Sequence, residues 1–547
     1  MKRRKPAIVL GMTALAVLML ASCGKQAAAS QTAVSTAEFP GGWKPTADYS
    51  KKLPFEVMAL QATEGYDFTA GDDLVKWYSD RFNYTIDITS VTFDNWAERV
   101  RLWISAGELP DVAAIDYKHQ DMAGWVEDDL LYKFPGNWRE RWPTVAAAFS
   151  LTGLGPEMEK TFGGVYFLPR PRFNLNLPGA PEVIKARGTL PNHLSFFYNK
   201  RWMAAVGLPV KTMYTVEELM EYGRRVKAQD PGKLGGKLVP ITGRPEWLQR
   251  FFIESNNGHY QTFYKDKDGT YKWGPAADAT LAGLKQYYNA YREGILNPEF
   301  YTLKYDDDYS QFHTSGVAGG YFGEGTIYNV WVARMNWESN ELPGDPMADI
   351  GVATVLGQDG LFHQEDLINY WQVVAFKPDI TQEKFERYMD ILDFNSTEAG
   401  YYQCFMGFEG IDWKWENGEL ITLAETDEEA ASQKYQGMLS IPSLTLPDDL
   451  SFDNPTVPKD IRELSWQLYK ERCENSTIDT FTPTDWKLFA YDSPAMRRVS
   501  FMYDQEYANI VTSSRSEADV ERNWRAWVQE KMAVVQPALD ELNANLR

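Results

Sequence analysis

The side chains that could do covalent or metal chemistry are few and far apart. Five histidines (His119, His193, His259, His313 and His363) are scattered, and no two have the i, i+4 spacing of a helical metal pair. The sequence contains no H-E-x-x-H, no phosphate-cradling G-x-x-x-x-G-K-[ST], no G-x-S-x-G and no G-x-G-x-x-G. Cys404 and Cys473 lack C-x-x-C spacing, so structural zinc is unsupported, and a disulfide and two free thiols both remain open. No metal and no cofactor are therefore expected. In abundance are 76 acidic residues, with 19 Trp, 30 Tyr and 28 Phe. Rings and carboxylates together complement sugars, whose apolar faces are edged by hydroxyls. The same carboxylates could supply a glycosidase pair, although none is singled out by its surroundings.

Cys23 differs from the other two cysteines. Lys2-Arg3-Arg4-Lys5 is followed by an apolar run from Ala7 to Ala21, broken by Gly11 and Thr13, and then Ser22-Cys23-Gly24. A basic cluster before an apolar run too short to span a bilayer reads as a signal peptide over residues 1–22. The junction resembles the lipobox of bacterial lipoproteins, which implies acylation (palmitate-type chains) at Cys23. Residues 1–22 carry four basic and no acidic residues, so their removal takes the net charge from −21 to −25. Such an acidic chain is a poor partner for nucleic acid or anionic lipid, so membrane attachment is expected through the N-terminal lipid alone. Residues 23–50 begin small and polar without periodicity and read as a flexible tether reaching roughly 30 Å.

The elements that must position a site begin at Leu53–Leu60, which reads as a strand. A helix near Asp72–Phe82 and a strand at Tyr84–Ile88 follow. Trp96, Val100, Trp103 and Ile104 share one helical face, and Leu109–Ile115 is largely apolar. This rhythm predicts an α/β fold with a largely parallel first sheet, which binds ligands at the carboxyl ends of its strands. Asp116, Tyr117 and Lys118 stand at such an end. Thr215-Val216-Glu217-Glu218 is a capping box, and Asp278 can cap another helix that ends at Gly294. The last long helix starts near Ser516, with Val520, Trp524 and Trp527 assigned to the core. Asp266-Lys267-Asp268-Gly269 fits a hairpin turn better than a calcium loop, and Asn417-Gly418 predicts a second hairpin.

Several stretches in this order resemble the large solute-binding lipoproteins of bacterial ABC importers, the extracellular family 1 type that captures oligosaccharides. They are Trp103-Ile104-Ser105-Ala106-Gly107-Glu108-Leu109-Pro110-Asp111-Val112, Gly163–Arg170, Phe196–Trp202 leading to Val206-Gly207-Leu208-Pro209, Tyr291–Phe300, and Phe408–Trp413. The resemblance covers most of residues 50–440 and fades in the last hundred. Many relatives bind calcium in a loop that here reads Asp230-Pro231-Gly232-Lys233-Leu234-Gly235-Gly236-Lys237, where two lysines intrude and no calcium is expected.

The resemblance implies a two-lobe, type II binding-protein architecture with a ligand cleft at the hinge. Lobe 1 is placed at 51–168 and 372–440, and lobe 2 at 169–371 and 441–547. Crossings are expected near Tyr166–Arg172 and Asn369–Val374. Such a protein captures an oligosaccharide outside the cell and passes it to the permease subunits of an ABC transporter, as a lipid-anchored monomer on the extracytoplasmic face. Two alternatives stay open: a surface glycoside hydrolase or lyase, and a receptor or adhesin without a transporter. Cleft aromatics should sit at element ends or in loops, because rings on amphipathic stripes are needed by the core. That criterion selects Trp247 after Gly243-Arg244-Pro245, Tyr321 and Phe322 in a glycine-rich run, and Tyr370 and Trp371 at the second crossing. Arg170 and Arg172 at the first crossing can reach ligand oxygens, and for Arg170 an interlobe salt bridge is the alternative.

Overall fold

The computed structural model describes residues 38–546 except 61–65, 69, 93–94, 117–121, 175–179, 305, 418, 425–430, 440–441, 443, 445–456, 478–479 and 481–482. Cys23, Tyr117, Lys118 and His119 lie outside the described residues. Among the described residues, no helix is long and apolar enough to cross a membrane.

The first lobe is built as the strand–helix rhythm dictates. Asp72 accepts the Val75 amide and so caps helix Asp73–Arg81. Strand Leu53–Leu60 pairs in parallel with Tyr84–Val91 and with Val112–Ile115. Val112–Ile115 begins past Pro110, which cannot donate to a ladder. Gly107, left-handed at φ 70°, ends helix Trp96–Ala106. Two further strands complete the sheet: Val373–Phe376, antiparallel to both Val112–Ile115 and Phe167–Pro169. Their side chains alternate between two cores. Val374 and Phe376 face Phe55, Tyr388 and Phe385, while Val373 and Ala375 face Trp96, Ile104 and Trp125.

The second lobe has its own sheet, ordered Gly320–Glu324, Leu194–Asn199, Ile350–Leu356 and Met213–Thr215. Here the first two pairings are antiparallel and the last is parallel. Phe196, Phe322 and Val355 enter one core, which the C-terminal helices Tyr503–Ser513 and Glu517–Asn545 complete with Tyr507, Val520 and Trp524. Phe197, Tyr321 and Val352 enter the other, with Ile461, Leu468 and Cys473 of helix Lys459–Glu474. Cys404 and Cys473 are free and buried in different lobes. The Thr215–Glu218 capping box forms, and the two expected hairpins pair Phe263–Lys265 with Tyr271–Trp273 and Trp413–Glu416 with Glu419–Thr422.

Three expectations are corrected. Asp278 makes no cap bond, because Ala277 occupies the cap position and Asp278 is already the first helical residue. Chain assigned to the second lobe from 441 onward still packs on the first: Tyr388 donates to the Pro442 carbonyl and Leu444 enters the first lobe's core. Residues 38–50 are docked and not tether. Phe39 packs edge-on against Trp43 and Trp77, and Trp43 Nε1 donates to Asp393 at 3.0 Å. The buried Asp390 carboxylate gathers the Thr46 and Ala47 amides, the Thr46 and Tyr49 hydroxyls, and Trp142 Nε1. Arg387, 1% exposed, donates to the carbonyls of Asp48, Phe82 and Asn83.

Removing the Asp390 carboxylate strands five donors around an apolar core. Asp390→Ala is expected to cost about 3–5 kcal/mol in chemical denaturation, and a loss below about 1 kcal/mol would show that the N-terminal segment is not held this way.

Candidate functional site

A polar cavity of about 380 Å³ opens where the second lobe meets the interlobe crossings, and the ends of several elements line it. His193 stands just before strand Leu194–Asn199, and Glu324 closes strand Gly320–Glu324. Arg244 precedes helix Pro245–Gln249, whose proline at the first position suits a helix start. That helix runs into a π-helical turn, Arg250–Glu254, an irregularity common at functional sites. Glu365 and Asp366 lie at the short strand Asp366–Leu367, and Tyr370 enters from the second crossing.

Each guanidinium in the cavity wall faces protein carboxylates. Arg244 Nη1 donates to the fully buried Asp308 at 2.9 Å, and its Nε lies 3.4 Å from Glu246. Burial opposes its charge, yet Asp308, Tyr309 and Glu246 outweigh that and hold its pKa above the ordinary guanidinium value. Arg250 Nη1 is 3.8 Å from Glu254, one turn on. For Glu324, burial raises the pKa, but His193 at 3.8 Å together with Arg172 and Arg250 bring it down to about 2. Glu365 accepts from Thr262 Oγ1 at 2.7 Å and meets His259 Nδ1 at 3.3 Å. Trp247 is 5% exposed, with the Arg244 and Arg250 guanidiniums 5.1 and 5.4 Å from its ring. Its Nε1 and the Tyr260 hydroxyl are buried without a hydrogen-bond partner among the described residues. Trp247 and Tyr260 stand in the cavity wall among three guanidiniums and five carboxyls, a mix of rings and charged groups that can orient a hydroxylated ligand.

A second cavity of about 370 Å³ shares Tyr309 and Glu324 with the first and is edged by Tyr321, His313 and Tyr328. Burial lowers the His313 pKa to about 4, so this histidine is a neutral wall. The two cavities are neighbours on the second lobe, meeting at Tyr309 and Glu324.

The structure brings Arg172, Trp247 and Tyr370 together in the main cavity, with Tyr321 in its neighbour. Trp247 sits in a helical turn and not in a loop. Tyr321 is 2% exposed, with one face stacked on Phe197 at 4.7 Å and Tyr309 and Phe312 packed around it. Phe322 belongs to the core, fully buried 5.5 Å from Phe251; alternation along its strand sends neighbouring rings to opposite faces, so Tyr321 and Phe322 could not both reach a ligand. Arg170 and Trp371 pair with each other, guanidinium 5.1 Å from the ring, and Trp371 packs edge-on at 6.5 Å against Trp96 of the first lobe. Asp116, half-buried, follows strand Val112–Ile115 and lines neither cavity. Sequence reasoning missed Arg244, Arg250, Glu254, Tyr309 and Glu324. The signal existed for two of them, because Arg244 lies in the stretch that selected Trp247 and Glu324 directly follows the glycine-rich run Gly319–Gly323. Among the described residues, no group of three or more His, Cys, Asp or Glu is placed to hold a metal, and the Asp230 carboxylate accepts the Leu234 and Gly235 amides instead.

No family model matches the sequence, and no curated protein does either. Solved structures do match. An alginate-binding protein, in its crystal structure without calcium ion, superposes with a TM-score of 0.64 at 16% identity, covering 91% of this chain and 98% of its own. An HMO-binding, ABC-transporter-associated solute-binding protein from Bifidobacterium longum infantis gives 0.58 at 16%, covering 90% and 96%. An ABC-transporter substrate-binding protein of S. pneumoniae in complex with kestose gives 0.56 at 16%, covering 90% and 100%. The chain has the two-lobe α/β fold of these solute-binding proteins.

Asp366 carries the site's pH signature. Burial raises its pKa to about 6, against bonds from Thr189 and Thr484 and the charge of Arg187. A carboxyl raised in the folded state contributes stability that is complete below its unfolded pKa and lost as pH rises through about 6. The parent is therefore expected to lose more thermal stability between about pH 4.5 and pH 7 than Asp366→Asn, measured by melting at both pH values. Equal losses would remove Asp366 as the cause.

Proposed function

We propose that this protein binds an oligosaccharide outside the cytoplasm and delivers it to the permease subunits of an ABC transporter. The observation that carries the reading is the cavity itself. It lies beside the interlobe crossings of a binding-protein fold, and its wall sets paired charges, with carboxyls in excess, around Trp247, Tyr260, Tyr309 and Tyr370. In this reading the lobes close on the sugar, ring faces pack against its apolar faces, and paired carboxylates and guanidiniums accept and donate to its hydroxyls. Against three guanidiniums stand five carboxyls, Glu246, Glu254, Glu324, Glu365 and Asp366. A polyanionic chain would meet that excess, so the ligand is a neutral oligosaccharide.

The hydrolase alternative has one observation in its favour, the raised Asp366 carboxyl, since a general acid needs such a shift. Prolonged incubation with glycans separates the two. Recovery of the ligand unchanged supports capture, and steady release of product would overturn it. In the same reading the protein acts as a monomer held by lipid on Cys23 at the extracytoplasmic face. Cys23→Ala should release soluble protein from the membrane fraction, and a variant that stays membrane-bound after processing refutes the anchor.

Trp247→Phe keeps an aromatic ring between the two guanidiniums, smaller than the indole and without its N–H. It is expected to weaken binding of neutral oligosaccharides found by thermal-shift screening by about 5- to 10-fold in isothermal titration, with melting unchanged. Unchanged affinity would place the sugar elsewhere.

A further inference from the structure

The main cavity does not end at its polar wall. On the side of Gln261, Thr262, Glu365, Asp366 and Ile368 it adjoins a larger cavity of about 550 Å³, and these five residues line both. Past them the chemistry changes. The far wall is made by Phe263 and Tyr264 of the first strand of a hairpin, and by Leu488, Phe489, Met496 and Val499 of the C-terminal segment. Leu488, Phe489, Met496 and Val499 are all partly buried, each packed on a core with part of its side chain left at the cavity wall. The junction is rigidly built. His259 stacks on Tyr264 with ring centroids 4.6 Å apart and its Nδ1 3.3 Å from Glu365, while the Thr484 amide and hydroxyl both donate to Asp366 at 3.3 Å.

A sugar ring placed against Leu488, Met496 and Val499 would give up water from its hydroxyls and, apart from Lys265, Thr484 and Asp485 at the cavity's edge, find few partners in return, which is unfavourable. An aryl or acyl group placed there would gain by leaving water. The polar cavity on one side of the shared wall and the apolar one on the other thus fit a ligand with the same division.

We propose that the cavity bounded by Tyr264, Phe489, Met496 and Val499 binds an apolar substituent, aryl or acyl, carried on the oligosaccharide that occupies the polar cavity. This rests on the sugar-binding reading of the polar cavity. The protein would then select glycosides or acylated glycans over the bare sugar chain.

Two measurements test it on the whole protein. The neutral fluorophore N-phenyl-1-naphthylamine is expected to bind saturably, and Met496→Gln and Val499→Thr should each weaken it about 5-fold or more with melting unchanged. Absence of saturable binding, or binding indifferent to both variants, overturns the proposal. In the second measurement a panel of neutral oligosaccharides is compared with the corresponding phenyl glycosides by titration. The phenyl glycosides should bind about 10-fold tighter and displace the fluorophore, and Val499→Thr should reduce that advantage. If oligosaccharides bind but the phenyl group adds nothing and leaves the fluorophore in place, this inference fails while the sugar site stands. If no glycan binds in either form, the sugar reading fails and takes this inference with it.

Discussion

The side chain of Asn369 ties the two interlobe crossings into one unit. Its Oδ1 accepts the Arg172 and Phe173 amides at 3.1 and 2.9 Å, and its Nδ2 donates to the Leu151 and Phe173 carbonyls at 2.7 and 3.0 Å. Backbone bonds continue the tie, from Trp371 N to Arg170 O and from Arg170 N to Gln372 O. Gln372 is 5% exposed yet left-handed at φ 66°, a conformation that a non-glycine residue holds only when its surroundings impose it. Both crossings therefore move together or not at all. Arg172 and Tyr370, flanking the clamp, line the cavity, so the element that joins the lobes also shapes the site.

A third contact between the lobes comes from the C-terminal segment. Asp485 caps the short helix Trp486–Phe489 and accepts the Tyr271 hydroxyl of the second lobe. Trp486 and Phe489 then pack against the first lobe's core, and Phe489 meets Tyr370 edge-on. Gly153 makes room for this: a Cβ there would fall 2.3 Å from the Trp486 ring. Asp366 holds the segment to the second lobe through Thr484, so one carboxyl stands at the meeting point of both cavities and this strap.

Charges drawn into a wall out of water must be matched. Arg244 with Asp308, Arg250 with Glu254 and His193 with Glu324 satisfy that demand before any ligand arrives. The same pairing fixes side chains of high rotamer entropy, so a ligand need not order them.

Much of this was legible in the residues. The first lobe's strand–helix rhythm, the Thr215–Glu218 capping box, both hairpins and the core stripes of Trp524 and Trp527 follow from local periodicity and turn chemistry, which the sequence carries directly. The expected crossings and element ends also named Arg172, Trp247 and Tyr370, three residues that line the main cavity. What the residues could not show is which distant side chains converge. Asp308 meets Arg244 across 64 positions and Asp390 gathers donors about 250 to 340 positions away, through pairings that have no period to read. Phe322 and Tyr321 were indistinguishable until strand pairing sent one ring to each face. Local order belongs to the sequence because neighbours in the chain enforce it. The cavity, its paired charges and the apolar cavity beside it exist only where separate stretches are packed against one another, and tertiary structure alone decides that.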